Sequence, residues 1–399
     1  MSKAADQPLR QSLVAIGSWM VQRWDRFFFE PSLPATVAVI RIVCGVMLFY
    51  SHLIWTIGLD AWLGPDAWID AELSRQLQDG TLGVATSAWS YLWYIQSPTL
   101  LYLHQFFVLI ATGCFAAGLA TRVTAPLAWF FQLMAIHRLI GAQFGLDQIT
   151  LYTAMYLMLT PCGSAYSIDH WIRSRGWLGS DGNRFAGWMF PEAGESSATT
   201  LGTRLLQIHL CVMYLFGGLS KVRGTSWWDG TAVWYSVSNA EYQSVDMTWL
   251  ADWPWLFSAM SHATMFWELF YIALVWPRAS RPFVLAMAFM VHGGIAIFLG
   301  MFTFGSMMIA ANLAFVPPRF LMPGGWKQIA EASRNARARR DLKSQWDELH
   351  RRKAKLKERE KIYRGRVERL KRREAKIKDA YERRQTAKNA SSSDGRSEL

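Results

Sequence analysis

Cysteine is scarce in this sequence, and its spacing excludes two kinds of site. The chain of 399 residues has four cysteines, with no CxxC pair and no Cys–His spacing typical of a metal site. All of them fall in apolar runs: Cys44, Cys114, Cys162 and Cys211. Disulfides and thiolate metal sites are therefore not expected, and the cysteines are predicted to be packing residues.

Charged residues are also scarce over most of the chain. Hydrophobic residues make up 52% and aromatics 14%, including 21 Trp, yet the formal charge is +12. From position 326 onwards there are 25 Lys and Arg against 12 Asp and Glu, a net of +13, which leaves −1 for positions 1–325. The sequence therefore divides into a near-neutral, apolar body and a strongly basic tail.

The apolar body is predicted to be a bundle of membrane-spanning helices. A span requires about 20 mostly apolar residues, and a backbone in lipid must satisfy its hydrogen bonds internally, which requires helices. The runs that qualify or come close are Thr36–Ile54, Thr99–Leu119, Val123–Leu139, Ile149–Gly163, Leu201–Leu219 and Ser261–Trp276.

One further run, Phe283–Val316, is too long for a single span of about 30 Å. It contains glycines where the chain could turn: Gly293, Gly294, Gly300 and Gly305. We interpret it as two short spans in a hairpin. The predicted fold is all-α, a polytopic membrane helix bundle of about eight transmembrane helices followed by a cytoplasmic charged helix.

Loop charges predict the orientation, because Lys and Arg accumulate on the cytoplasmic side of short loops. Basic residues fill the N-terminal segment and alternate loops: Lys3, Arg10, Arg23 and Arg26; Arg122; Arg173, Arg175 and Arg184; Arg278 and Arg281; Arg319. The intervening loops are mostly acidic, with Arg138 as an exception. Both termini are predicted to be cytoplasmic in a plasma (inner) membrane, with Lys221 at the outer side.

Three segments follow from this division. Positions 1–33 are predicted to form a cytoplasmic N-terminal segment with an interfacial helix, 34–320 the transmembrane domain, and 326–399 the basic helical tail. In the first segment one helical face is apolar: Leu13, Met20, Trp24 and Phe27. The alternative is a disordered start followed by a short surface helix.

The tail has one row of apolar residues at every heptad: Leu342, Leu349, Leu356, Tyr363, Leu370 and Ile377. The second row is apolar only half the time: Trp346, Lys353, Glu360, Val367, Glu374 and Tyr381. One complete apolar row beside a half-complete row allows either a homodimeric coiled coil or a single charged helix stabilised by ion pairs at i,i+4 spacing. Its charge favours contact with anionic lipid. Nucleic acid is not an expected partner, since no base-stacking aromatics or fold motif accompany the charge.

Ionisable residues inside spans are costly, so each is a functional candidate. Arg41 and Glu268 have opposite charges, and we expect them to pair or to reach a common cavity; the alternative is a structural ion pair. Arg138 and Arg204 lie nearer span ends, where snorkelling to the interface is the simpler account. The histidines in or near spans, His104, His137, His209 and His292, show no metal signature, and no metal site is predicted.

The densest tryptophan cluster lies in the outer segments Gly217–Val237 and Trp249–Phe257, beside Lys221. Aromatic rings at this depth could hold a flat, hydrophobic ligand that arrives from the bilayer. A lysine that loses solvation there gives up its proton more readily and could act as a general base. The alternative is an aromatic belt with a snorkelling lysine.

These residues resemble a known family. The order of IRIVCG, GGLSKVRGTSWWDG, WELF and MVHGGIAIFLGMF, over roughly Pro34 to Pro318, is similar to the HTTM membrane domain, the bacterial relatives of vitamin K-dependent gamma-glutamyl carboxylase. The resemblance implies an outer-side site that oxidises a reduced, vitamin K-like quinone with oxygen, followed by proton removal from glutamate and addition of CO2. The loop charges independently place Lys221 on that side.

The resemblance also implies roles for individual residues. Lys221 would be the catalytic base and His292 its catalytic partner. The implied quinone-binding residues are Arg41, Gln148, Trp227, Trp228, Gly230 and Glu268. Gln148 stands where the family has a functional histidine, Ser220 replaces a lysine, and the basic tail takes the place of the lumenal domain that captures peptide glutamate. Lipid-phase quinol chemistry is therefore expected ahead of protein carboxylation.

Two other functions remain open. One is a non-enzymatic membrane scaffold whose tail recruits partners or anionic lipid. The other is a transporter, which the glycine-rich run Phe283–Val316 would suit, although inverted repeats are not evident.

Overall fold

The computed structural model describes residues 6–82, 84–176, 184–192, 194–323 and 325–393. Side chains are described there except at 6–14, 184, 325–341, 343–344, 381 and 385–393. The described chain is all-helical, with 76% helix and no strands. Lys3 and the side chains of Arg10, Leu13, Arg184 and Tyr381, which entered the predictions above, lie outside the described set.

The chain divides into two compact units, Met1–Pro323 and Gly324–Leu399. The described α-helices of the first unit are α1 Asp6–Phe29, α2 Ala35–Ile57, α3 Leu59–Leu63, α4 Ala71–Asp79, α5 Pro98–Ala117, α6 Thr121–Arg138, α7 Gly145–Leu157, α8 Ile168–Ser174, α9 Arg184–Met189, α10 Ser197–Val222, α11 Thr225–Trp228, α12 Ala232–Val237, α13 Pro254–Leu274, α14 Arg281–Phe298 and α15 Phe302–Asn312. Short 3₁₀ turns occupy Tyr91–Tyr94, Ile140–Ala142, Thr248–Leu250, Leu313–Phe315 and Pro318–Leu321. The second unit is the single helix α16, Gly325–Ser393.

Helix α2 lies at the centre of the first unit, where it packs against α5, α7 and α15. Val37, Ile40, Cys44 and Leu48 form its buried apolar face. Gly45 allows α2 to lie close to α5, because a Cβ at this position would be only 2.5 Å from the Ala116 Cα. Small residues at such crossings let two helix backbones approach closely, which is how helices associate where lipid surrounds them.

Among the described helices, four are long and apolar enough to cross a membrane: α2, α5, α10 and α14. The apolar stretch Phe302–Phe315 is shorter. Large apolar side chains cover the outward faces of α5 and α14, including Phe106, Phe107, Phe289 and Met290. Contiguous exposed apolar surface of this kind marks contact with lipid or a partner, so a membrane location is plausible.

The run Phe283–Val316 forms two helices, as predicted. Helices α14 and α15 are separated by Leu299–Met301, where Gly300 has a φ of 66°, a conformation that favours glycine. Gly305 lets α15 return close to α14, because a Cβ there would lie 2.4 Å from the His292 carbonyl oxygen. Of the glycines proposed as turning points, Gly300 makes the turn, while Gly293 and Gly294 continue α14.

The prediction for Arg138 is wrong. Its side chain does not snorkel to the surface but is buried at the end of α6, 1% exposed, and its Nη1 donates to the Ile69 carbonyl oxygen at 2.7 Å. The reason is that the segment between α2 and α5 covers this helix end, with Ser74 Oγ donating to the Arg138 carbonyl oxygen. Arg204, half-buried, donates to the Phe27 carbonyl oxygen at 3.0 Å and lies over the Phe27 ring.

Helix α1 exposes a broad apolar surface that includes Ile16, Trp19, Met20 and Trp24. Its C-terminal turn packs on the rest of the unit through Phe27, which contacts Trp276. The face predicted for an interfacial helix is therefore divided: Met20 and Trp24 are free for an interface, and Phe27 is half-buried against the bundle.

Helix α16 has one exposed row of apolar side chains. The apolar heptad row from Leu342 to Ile377 is exposed, 61–69% at each position. Ion pairs at i,i+4 spacing join Arg352 to Glu348 and Arg364 to Glu360. The ion pairs stabilise a single helix. The exposed row forms an apolar stripe along the described surface of that helix.

Candidate functional site

The candidate site forms where α10 crosses α13. Consecutive glycines make this crossing close: a Cβ on Gly218 would lie 2.7 Å from the Leu269 nitrogen, and one on Gly217 would lie 3.0 Å from Glu268 Oε2. Larger side chains would hold the two helices apart. The crossing brings the last turn of α10, which carries Lys221, over the middle of α13.

Lys221 and Glu268 form an ion pair across this crossing. Lys221 Nζ donates to Glu268 Oε2 at 2.6 Å, and the two side chains are 22% and 11% exposed. The expected pairing of Glu268 with Arg41 is wrong. A carboxylate in an apolar bundle needs a cation, and the glycine-dependent crossing supplies Lys221 instead.

Arg41 makes its polar contacts at the C-terminus of α5. The buried guanidinium donates to the carbonyl oxygens of Phe115 and Ala116, each at 3.2 Å, and to that of Tyr166 at 2.6 Å. Carbonyl groups at a helix C-terminus lack partners in the helix and carry partial negative charge, which a cation stabilises. Its position therefore has a structural explanation.

The two tryptophans of the short helix α11, Trp227 and Trp228, border the ion pair in two different ways. The Lys221 Nζ lies 5.1 Å from the centroid of the Trp227 ring, within the range of a cation–π interaction. Trp228 turns away: its Nε1 donates to the Val222 carbonyl oxygen at 2.7 Å, and its ring is half exposed. Trp227 is thus the tryptophan of this pair that lies over the lysine.

Gly230 lies in the turn between α11 and α12, where it packs against α13. It has a φ of 80°, and a Cβ there would lie 2.3 Å from Ser258 Oγ. Its carbonyl oxygen accepts from Ser261 Oγ at 3.1 Å. Beside it, hydrogen bonds from Thr231 hold the pKa of the Asp229 carboxyl below its usual value. Gly230 is therefore required by the turn and by its packing against α13.

A hydrogen-bonded chain below the ion pair holds His292. Tyr271 OH donates to Asn312 Oδ1 at 2.6 Å, and Asn312 Nδ2 donates to Tyr214 OH at 2.8 Å. Tyr214 OH lies 2.7 Å from His292 Nε2. All four residues are buried, and they join α10, α13, α14 and α15.

The direction of these bonds defines the state of His292. Because the Tyr214 oxygen accepts from Asn312, its own hydrogen is free to donate to His292 Nε2. The remaining proton of a neutral ring is then on Nδ1, which is buried and has no hydrogen-bond partner. A buried donor without a partner is uncommon in proteins, which distinguishes Nδ1 from the other polar atoms of this hydrogen-bonded chain.

The ion pair and the His292 chain are neighbours in space. Trp267, the residue before Glu268, packs against Tyr214, at 5.0 Å between ring centroids, and against His292, at 6.1 Å. Tyr214 and Lys221 lie about two helical turns apart on α10. The site therefore combines an ion pair, a cation–π contact and a neutral histidine.

Sequence reasoning missed Tyr214, Tyr271 and Asn312. Asn312 left a signal, since its amide is one of the few polar groups in the run Phe283–Val316 and intramembrane polar residues usually have a partner. The tyrosines left no signal, because their rings are as apolar as their neighbours.

Gln148, predicted to bind the quinone, is exposed on the first turn of α7. The structure does not bring it to the ion pair. Its neighbour Asp147 is buried instead and accepts from the Phe144 nitrogen at 3.0 Å. The role implied for Gln148 has no structural support.

Among the described residues, no group of three or more His, Cys, Asp or Glu side chains could hold a metal ion. The described part of the chain has a cavity of about 640 Å³ between the α14–α15 turn, the start of α7 and helix α12, lined by residues that include Phe144, Tyr235 and Met301. None of the predicted site residues lines this cavity.

Together these features define an all-helical protein with four candidate membrane-spanning helices and a polar site within its apolar core. Comparison with protein-family models, curated proteins and solved structures finds no match.

Proposed function

We propose that this protein is a membrane enzyme of the gamma-carboxylase-like HTTM family that acts on a quinol or a similar lipid-phase substrate. The observation that carries the proposal is the 2.6 Å ion pair of Lys221 with Glu268, next to Trp227 and the His292 chain. Burial of ionisable residues in an apolar bundle is energetically unfavourable, which favours a functional reason for them.

The proposed topology has eight spans in a plasma (inner) membrane, with both termini cytoplasmic. It is supported by the four candidate spans and by the helices that the structure has at the remaining predicted runs, α6, α7, α13 and α15. The alternating loop charges give the orientation. Lys221 then lies in the outer half of the bilayer.

Proton transfer within the ion pair would prepare Lys221 as a base. The Lys221 ammonium proton can pass to Glu268 along their 2.6 Å hydrogen bond. The Lys221 amine then accepts the proton of a quinol hydroxyl and becomes an ammonium again. The net result is one proton moved from the quinol to Glu268, with the Lys221 charge beside the negative oxygen.

Three residues of the site have side chains that suit a quinol. Lys221 would hold one oxygen, Trp227 would contact the ring system, and the free His292 Nδ1 could donate to a second oxygen. A bound quinol would supply two electrons, with molecular oxygen as acceptor. Arg41, Gln148, Trp228 and Gly230 are not included in the proposed site, because their contacts lie elsewhere.

The test is turnover of a reduced naphthoquinone by the full chain in lipid nanodiscs, with oxygen and CO2 supplied. We expect quinone or quinone-epoxide formation that Lys221→Ala reduces at least about 100-fold, the scale of a lost general base. Arg223→Ala is the matched control, since Arg223 is an exposed cation two residues away. Wild-type turnover no higher than that of heat-inactivated protein would contradict the proposal.

A second function is favoured by the tail. Its exposed apolar row and its basic charge suit a scaffold whose helix α16 forms a homodimer or recruits cytoplasmic partners and anionic lipid. Cells that carry either Lys221→Ala or a chain truncated after position 324 distinguish the two. If only the truncation abolishes the cellular role, the scaffold function is correct.

A further inference from the structure

Arg138 is a buried cation without a counter-ion. Its side chain is 1% exposed, and no carboxylate of the described residues lies within 4.0 Å of its nitrogens. Asp70 is near enough to act on it electrostatically, but the Asp70 Oδ1 accepts from the Leu73 nitrogen at 2.7 Å, where it caps α4. An unpaired buried charge is strongly unfavourable.

Most of the guanidinium is also without hydrogen bonds. Nη1 donates to the Ile69 carbonyl oxygen, whereas Nε and Nη2 are buried and have no partner. Arginine presents these donors in a planar fork that matches a carboxylate or a phosphate. Arg204 provides the contrast within the same chain, since its Nε and Nη1 both have partners, the Phe27 carbonyl oxygen and Gln207 Oε1.

A cavity of about 240 Å³ lies against Arg138. Its walls include the tryptophans Trp62 and Trp68, whose ring centroids are 4.9 Å apart, and the turn Ile140–Ala142. A water molecule occupies about 30 Å³ of liquid, so the cavity has room for a phosphate or carboxylate group. Its tryptophan wall suits the apolar carbons next to such a group.

We propose that this cavity binds an anionic group, phosphate or carboxylate, through the Arg138 guanidinium. Two sources supply this chemistry. In the proposed topology Arg138 is at the outer end of α6, at the depth of lipid headgroups, so the anion is either the headgroup of a bilayer lipid or a small anion from the outer solution. The site is separate from Lys221 and does not depend on the quinol proposal.

The experiment measures the unfolding midpoint of the purified full chain under two titrations. The first compares phosphatidylcholine nanodiscs with and without phosphatidylglycerol. The second compares sodium phosphate with sodium chloride at equal ionic strength. A ligand that binds the folded state raises the midpoint as its concentration rises. Stabilisation by phosphatidylglycerol alone identifies a lipid headgroup, and stabilisation by phosphate as well identifies a free anion.

The variants assign the effect to the site. Arg138→Gln should weaken binding roughly 10- to 100-fold, the scale of a lost charge-assisted hydrogen bond, while Arg204→Gln should leave it unchanged. If Arg138→Gln does not fold, Trp68→Ala replaces it, because Trp68 is 77% exposed and contributes little to the core. Its matched control is Trp249→Ala, also exposed.

Two results would overturn the proposal. One is that neither phosphatidylglycerol nor phosphate shifts the wild-type midpoint. The other is that Arg138→Gln or Trp68→Ala responds to both titrations as the wild type does. In either case Arg138 only holds the Ile69 segment onto α6.

Discussion

Glu268, in the middle of α13, accepts a hydrogen bond from Lys221 at the end of α10, at 2.6 Å. The residues are 47 positions apart, and their meeting depends on the close crossing at Gly217 and Gly218. This one contact makes a cation and a carboxylate tolerable inside an apolar bundle, and it places the lysine over Trp227.

Removal of one partner of the Lys221–Glu268 ion pair should destabilise the protein more than removal of both partners. Glu268→Gln leaves the Lys221 ammonium without its counter-ion. The expected loss is about 2 kcal/mol of unfolding free energy, below the roughly 3–5 kcal/mol of a fully buried pair, because the Lys221 side chain is 22% exposed. The double variant Lys221→Met, Glu268→Met should recover much of this loss, since an apolar pair fits the bundle. Thermal unfolding midpoints in detergent would show it; a double variant less stable than Glu268→Gln would contradict the prediction.

Gly218→Ala tests the helix crossing itself. The added Cβ would lie 2.7 Å from the Leu269 nitrogen, so α10 and α13 must separate, at about 1–3 kcal/mol for overpacking. Gly293→Ala is the matched control in another helix, because nothing lies within 4 Å of its Cβ position. The control should keep or raise the unfolding midpoint, since alanine favours a helix. Equal midpoints for the two variants would contradict the proposed role of the crossing.

The approximate position of the long apolar helices could be predicted from the sequence, although α13 begins at Pro254 and not at Ser261, and α7 ends at Leu157 and not at Gly163. The partner of Glu268 could not be predicted. Apolar runs show where a helix lies along the chain, because the cost of exposing backbone in lipid depends on composition. They do not show which neighbour a side chain meets, since that depends on rotation about each helix axis. Arg41 and Glu268 were therefore joined on charge alone. The consecutive glycines Gly217 and Gly218 were the available signal for the correct crossing.

Arg138 shows a second limit. Its place at a span end was predictable. The direction of its side chain was not, because burial of that side chain depends on the polar segment between α2 and α5, which folds over the end of α6. His292 is the opposite case. The resemblance singled it out, and the structure adds what the sequence could not, a neutral ring held by Tyr214 with its Nδ1 free.

Among the hydrogen-bonded side chains around His292, the Tyr214 hydroxyl should contribute most to the stability of the protein. Tyr214→Phe leaves both the Asn312 Nδ2 contact and His292 Nε2 without their partner, with an expected loss of about 1–3 kcal/mol. Tyr271→Phe removes only the donor to Asn312 Oδ1 and should cost less. Unfolding midpoints of the two variants, measured side by side, check the order. A Tyr271→Phe variant less stable than Tyr214→Phe would contradict the assigned contacts, in which the Tyr214 hydroxyl has two partners and the Tyr271 hydroxyl has one.

The exposed heptad row of α16 predicts that the full chain forms a parallel pair through its tail. A cysteine at Leu356, on that row, should form an intermolecular disulfide in membranes, because equivalent positions of a parallel coiled coil face each other. Glu358→Cys is the matched control on the same helix turn, and Cys114, the natural cysteine that is not buried, is replaced by Ser in both. Cross-linking at Leu356 that greatly exceeds cross-linking at Glu358, measured by gel mobility without reductant, supports the pair. Equal cross-linking at the two positions would mean random collision, and α16 would then act as a single charged helix held by its i,i+4 ion pairs.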